Sequence, residues 1–208
     1  MAEFISREEL TRILKSVRTL RIPPVPPEDM YAEQRRAAEA VAARRKPSAS
    51  SNGGLAGPYI PMVHVPGILD RFQYFGDYCR FYTGVPAKLR ILAICITARH
   101  IKAEVEFYVH LIEAHEFGLA KEITDAIAEG RRPQKMDEEE EVVYDFCQAI
   151  LKVGRVSDEL FAKSEKLFGK TVTLELVATV GYYQTLGMVL NVTRTVLPAD
   201  IPSPFPAE

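Results

Sequence analysis

The sequence predicts an all-α protein, and three observations carry that prediction. Between Pro86 and Pro198 the only proline is Pro133. Long proline-free stretches suit consecutive helices, because proline removes an amide donor and clashes with the preceding turn. Single glycines at Gly84, Gly118, Gly130, Gly154 and Gly169 fall where helices would stop. No run of four to eight residues alternates cleanly between apolar and polar, so no strand is predicted.

The elements follow in order. Ser6 can cap a short amphipathic helix carrying Leu10, Ile13, Leu14 and Val17. The cluster Pro23, Pro24, Pro26 and Pro27 breaks it, and a second helix runs from Pro27 to about Arg45. The stretch 46–57 (KPSASSNGGLAG) is polar, low in complexity and Gly-rich, hence a flexible linker. Residues 1–57 therefore form an N-terminal helical extension and linker, and 58–198 form the compact unit. Residues 199–208, with Pro202, Pro204 and Pro206, are a Pro-rich tail. Within the compact unit, helices are predicted at roughly 67–83, 87–100, 102–117, 120–129, 137–153, 157–168 and 171–195. Five acids at 137–141 open one of these helices, where the macrodipole favours negative charge. Ser157, Asp158 and Glu159 open the next by the same logic.

Composition narrows the function. The 208 residues suit one domain with an extension, and 47% hydrophobic against 26% charged residues excludes wholesale disorder. Lys+Arg 26 against Asp+Glu 28 leaves no basic excess for a nucleic-acid partner. Cys79, Cys95 and Cys147 are odd in number and form neither CxxC nor a zinc spacing. A reducing, cytoplasmic setting is expected. The N-terminus lacks the apolar run of a signal peptide. The most apolar stretch, 174–192, contains Glu175, Gln184 and Asn191 and reads as a core helix rather than a membrane span.

The helix that can carry chemistry is 103–117, AEVEFYVHLIEAHEF. At about 100° per residue, Ala103, Phe107, His110, Leu111, Ala114 and Phe117 share one face. Val105, Val109 and Ile112 make the reverse face apolar too, so the helix sits inside its domain or between subunits. Glu106 lies one turn before His110 at the stripe's edge. A carboxylate beside a partly buried imidazole holds one tautomer and tunes its pKa, and such a pair can shuttle a proton to or from carbon. The same spacing equally serves a satisfied core or interface pair. His115 projects toward the Glu104 and Tyr108 side, and His100 follows Arg99 near a helix C-terminus, where a cation is favoured. His64 sits in the Pro-bounded segment PMVHVP. No metal constellation is found, so no metal or other cofactor is expected.

Four segments, GPYIPMVHVPG, VPAKLRILAICITARHIKAEVEFYVH, GRVSDELF and ELVATVGYYQTLGMVLNV, together resemble the carboxymuconolactone decarboxylase family. The resemblance runs in unbroken order over about 58–198. It implies the all-helical fold shared with alkylhydroperoxidase D and assembly into rings, commonly trimers or hexamers. The peroxidase branch of that family carries CxxC followed by His. Here Ala103 and Glu106 stand where the thiols would be, four residues before His110, so thiol peroxide reduction is not expected. The decarboxylase-like branch resembles E-x-x-x-H at this place, matched by Glu106 and His110. Many relatives carry a Glu after the Leu89–Arg90 pair, where this chain has Ile91.

The resemblance implies a cofactor-free lyase acting on a small organic acid or lactone. Decarboxylation leaves a dienolate that must be protonated at carbon, so the protein must bind an anion and supply a proton. His110 is the expected general acid and Glu106 its orienting partner. Arg99 is the expected holder of a substrate carboxylate. Tyr182 and Tyr183 in the last helix, together with His64, are further candidates for substrate contact. An isomerase, dehydratase or lactone-opening enzyme on the same scaffold is the alternative, as is a non-catalytic oligomeric binding protein. The exposed apolar faces of the last helix and of 103–117 predict a homo-oligomer.

Overall fold

The chain is described by a computed structural model that covers residues 12, 13, 16–44 and 55–206. Eight helices account for most of it: α1 Ala32–Arg44, α2 Tyr59–Met62, α3 Pro66–Asp77, α4 Ala87–His100, α5 Glu104–Glu116, α6 Lys121–Ala128, α7 Glu138–Val153 and α8 Asp158–Thr193. The architecture is all-α, as the proline spacing predicts.

At the centre lies α4. Leu89 and the unbroken run from Ile91 to Ala98 are buried, so the helix is covered all round by α5, α6, α7 and α8. A helix apolar on every side belongs in a core. Here α4 has that place, with α5 beside it still half-exposed at Leu111, Glu113 and His115. α1 packs on α3, and Met30, Ala37, Ala38 and Val41 join the main core. Of the expected first helix, Ser6, Leu10 and Leu14 lie outside the described residues. Ile13 and Val17 are buried against Val105 and Leu190. Most of the predicted linker also lies outside them, although Leu55 is buried.

Several boundaries differ from expectation for physical reasons. The helix expected at 67–83 starts at Pro66, a residue suited to a first turn, and passes at Tyr78–Tyr82 into a π-helical turn. The helices expected at 157–168 and 171–195 are both present within α8, divided at Gly169 by a kink of non-helical backbone with φ 78° and ψ 168°. Gly118, Gly130 and Gly154 end helices with positive φ, whereas Gly84 does not. Its amide instead donates to Glu175 at 2.8 Å. The acid run at 137–141 is a capping feature. Asp137 accepts from the Glu140 amide and Glu140 reaches back to the Asp137 amide, each at 2.9 Å.

One correction concerns strands. β1 (Arg18–Thr19) pairs antiparallel with β2 (Thr195–Val196), Arg18 opposite Val196 and Thr19 opposite Thr195. Two-residue strands are too short to alternate, so local pattern could not reveal them. Among the described residues, no helix is long and apolar enough to cross a membrane.

Close approach fixes α3 against α8. A Cβ on Gly76 would lie 2.1 Å from the Tyr182 hydroxyl, so only a residue without a side chain lets that ring in. Tyr182 then stacks on Phe72 with centroids 4.7 Å apart.

Candidate active site

The α4–α5 joint sets the frame. Lys102, with φ 55°, turns the chain between the two helices, and α5 then presents Glu106, His110 and Glu113 at helical spacing. Glu106 and His110 are buried, at 5% and 4% exposure. His110 Nδ1 lies 3.2 Å from Glu106 Oε1 and 2.9 Å from the Glu106 backbone carbonyl oxygen. The opposite ring nitrogen, Nε2, is 3.1 Å from Nη1 of Arg80.

The partners fix the tautomer. A guanidinium has no lone pair to offer, so Nε2 accepts from Arg80 and the ring proton sits on Nδ1, donated to Glu106. With Nε2 accepting from Arg80, the ring has no proton to donate at that nitrogen until the Arg80 bond is released.

Arg80 comes from the π-helical turn that ends α3. Its second nitrogen, Nη2, donates to Glu113 Oε1, and it also bonds Tyr183. Tyr183, from α8, meets the His110 ring edge-on at 5.2 Å. Three elements (the π-helical turn, α5 and α8) thus converge on one imidazole. Burial alone would push the Glu113 carboxyl up, but His110 and Arg80 hold it below the usual carboxylate range. For Arg80 the order reverses: burial opposes its charge, while Tyr183 and Glu113 raise its pKa above the ordinary guanidinium value.

Arg90 on α4 belongs to the same electrostatic cluster. Burial lowers its pKa, against the pull of Tyr183. Its Nη1 reaches the Val85 carbonyl only at 3.4 Å, and its buried Nε has no hydrogen-bond partner among the described residues. Arg80, Glu106 and Glu113 thus lie about the ring, and Arg90, coupled to Tyr183, Arg80 and Glu113, retains unused donor capacity.

The other candidates lie elsewhere. Arg99 does not join His110: its Nε donates to the Ala128 carbonyl oxygen at 2.8 Å, and its guanidinium lies over the Phe205 ring at 4.9 Å. It lines a groove between α4, α6 and α7 that includes none of the His110 cluster. His64 is exposed, and its Nε2 donates to the Pro23 carbonyl oxygen at 3.2 Å. It thereby ties the proline cluster to the end of α2. The Tyr182 hydroxyl lies 2.7 Å from that of Tyr59, and its ring meets Tyr183 in a T-shaped contact. Ile91, at the position where relatives often carry Glu, is buried at 1% exposure.

Sequence reasoning missed Arg80, Arg90 and Glu113. Glu113 had a signal, since it lies three residues after His110 on one helix. Arg80 had none, being thirty positions away. The thiols Cys79, Cys95 and Cys147 are free and buried. Burial pushes Cys79 up to about 11 and Cys147 up to about 12, so neither is a thiolate near neutrality. Among the described residues, no group of three or more His, Cys, Asp and Glu side chains is placed to hold a metal ion. No protein-family model matches the chain, and neither does any curated protein.

Proposed function

We propose that the chain is a cofactor-free enzyme that transfers a proton on a small organic acid or lactone, a lyase of the carboxymuconolactone decarboxylase type. The observation that carries this reading is a single buried imidazole held at Nδ1 by Glu106 and at Nε2 by Arg80. The E-x-x-x-H resemblance points to the same two residues of α5.

The chemistry runs as follows. A substrate carboxylate draws Arg80 or Arg90 to itself, since a planar guanidinium binds carboxylate by two parallel bonds. Nε2 is then free of its Arg80 bond and takes up a proton, with Glu106 and Glu113 stabilising the imidazolium. In decarboxylation the electrons of the carboxyl C–C bond pass into the conjugated carbonyl, carbon dioxide leaves, and the resulting dienolate carbon takes the Nε2 proton. Solvent restores that proton. Lactone opening or isomerisation would use the same donor without loss of carbon dioxide.

A second reading is favoured by one observation: every nitrogen of the His110 ring already has a protein partner. A buried, fully paired network can serve conformational specificity alone, which fits a non-catalytic binding protein. Purified protein incubated with a panel of carboxylated butenolides, followed by carbon dioxide release and by deuterium uptake at carbon, separates the readings. His110→Gln is expected to lower either rate at least a hundredfold, the usual scale for a general acid. Arg80→Gln is expected to raise KM as well as lower kcat. Turnover unchanged by both substitutions would remove the cluster from catalysis.

Assembly belongs to the same reading. Tyr74, Phe75, Tyr78, Phe81 and Tyr82 are exposed along α3 and its π-helical turn, and Leu174, Val177, Met188 and Val192 along α8. Contiguous apolar rows of this size mark association surfaces, so a homo-oligomer, trimeric or hexameric, is proposed. Three unpaired thiols support placing it in the reducing cytoplasm.

A further inference from the structure

Arg99 lines a groove apart from the His110 cluster. The groove encloses about 290 Å³ between the C-terminal ends of α4, α6 and α7, near the lower end of small-molecule pockets. Ile96, Ile127 and Tyr144 are buried and form its floor. Around them stand Arg99, His100, Arg131 and Lys152, and no carboxylate lines it.

Basic residues near helix C-termini often only offset the macrodipole, so the carbonyls must be followed one by one. At the end of α6, Asp125, Ala126 and Ile127 accept from the Glu129, Arg131 and Gly130 amides, and Ala128 accepts from Arg99 Nε. At the end of α4, Thr97, Ala98 and Arg99 accept from the Ile101, Ala103 and Lys102 amides. The Ile150 carbonyl of α7 accepts from the Gly154 amide. The helix ends are thus closed largely by backbone, and the cations exceed what they need.

Charge pairing leaves a surplus as well. Arg131 is neutralised by Glu129. Arg132, on the far side of the Tyr144 ring, is engaged by Asp145. Arg99 and Lys152 have no acidic partner among the described residues. The Nε bond and the Phe205 ring hold the Arg99 guanidinium in place, and neither Nη group has a hydrogen-bond partner among the described residues. Gly130 lets it lie close, since a Cβ there would be 3.2 Å from Nη2. The Arg99 fork, the exposed Lys152 ammonium and the Gln148 amide line the same groove and together match a compact dianion.

We propose that this groove binds a small organic dianion, a phosphate monoester or a dicarboxylate, at a site separate from the His110 cluster. Arg99 takes one anionic group by two parallel bonds, Lys152 supplies the second charge, and the apolar floor receives the carbon skeleton. The inference is independent of the chemistry assigned to His110.

Calorimetric titration of the full chain at fixed ionic strength, with inorganic phosphate, phenyl phosphate and succinate as separate probes, tests it. Saturable one-site binding below a millimolar Kd is expected for at least one probe, and the three arms identify the preferred head group. Lys152 is exposed on the last turn of α7, so Lys152→Glu should fold normally, as circular dichroism would verify. That variant should weaken binding at least tenfold, and Arg99→Lys should do so while keeping the charge. His110→Gln should leave the affinity unchanged. No saturable binding in the wild type, or binding indifferent to Lys152→Glu, overturns the proposal. Binding lost in His110→Gln but kept in Lys152→Glu would relocate the anion to the His110 cluster and overturn it equally.

Discussion

Glu175 shows how one buried carboxylate can organise a turn. It accepts from the hydroxyls of Tyr78 and Thr83 and from the Gly84 amide, tying the π-helical turn that carries Arg80 to α8. Burial alone would push its carboxyl up, but the three donors outweigh burial and hold it below the ordinary range. A depressed folded pKa means that the stabilisation is complete above the unfolded value of ~4.3 and disappears as pH falls through the folded one. Glu175→Gln is therefore expected to be about 1–3 kcal/mol less stable in urea at pH 7 and to lose less on acidification than the wild type. Parallel losses of stability with pH in the two proteins would show that Glu175 does not carry the effect. At this scale the sequence is legible only where partners share a helix. Glu106 and His110 declared themselves by spacing, as Glu113 could have done. Arg80 and Tyr183 reach the same ring from other elements, with Arg90 coupled to them, and nothing local in their neighbourhoods foretells it.

Element boundaries were legible wherever local chemistry sets them. Asp137 with Glu140, Ser157 as the cap of α8 and the positive-φ glycines are all decided within a few residues of chain. Where tertiary contact decides, local reading fails. The π-helical turn at Tyr78–Tyr82 is held by Glu175 of α8. Gly169 occupies a region of backbone space open essentially to glycine alone, and forcing a side chain there costs on the order of 1–3 kcal/mol. Gly169→Ala should lower the melting temperature by roughly 2–4 °C per kcal/mol in a chain of this length, as calorimetry can check. Asp137→Ala removes a helix cap and, with it, the Lys88 ammonium's partner at 2.7 Å. An expected loss of about 1 kcal/mol is measurable by urea unfolding, and no loss would mean that Glu140 suffices for Lys88.

For the whole molecule, the all-α class followed from the scarcity of proline, but the arrangement did not. The sequence places 103–117 inside the domain or between subunits, and α5 buries Val105, Phe107, His110, Ile112 and Ala114, while α4 is covered more completely, because burial all round depends on how many neighbours surround an element. Assembly is the property most open to direct test. Leu174 and Tyr82 are 64% and 74% exposed, so charging them should leave the fold intact. Leu174→Glu with Tyr82→Glu is expected to give a smaller species than the proposed homo-oligomer by light scattering, with helicity unchanged. Equal masses for the variant and the wild type would exclude these rows as the contact surface.

The pairing of Arg18–Thr19 with Thr195–Val196 has a mechanical corollary. The chain arrives at Arg18 and departs from Val196 on the same side of the ladder, so tension drawing residues 17 and 197 apart loads its rungs one after another. It would peel open like a zipper at low force, through the bonds of the Leu20 and Arg21 amides to Arg194 and Thr193, before any load reached the helices. Under stretching, the two extremities should detach first while the interior stays intact.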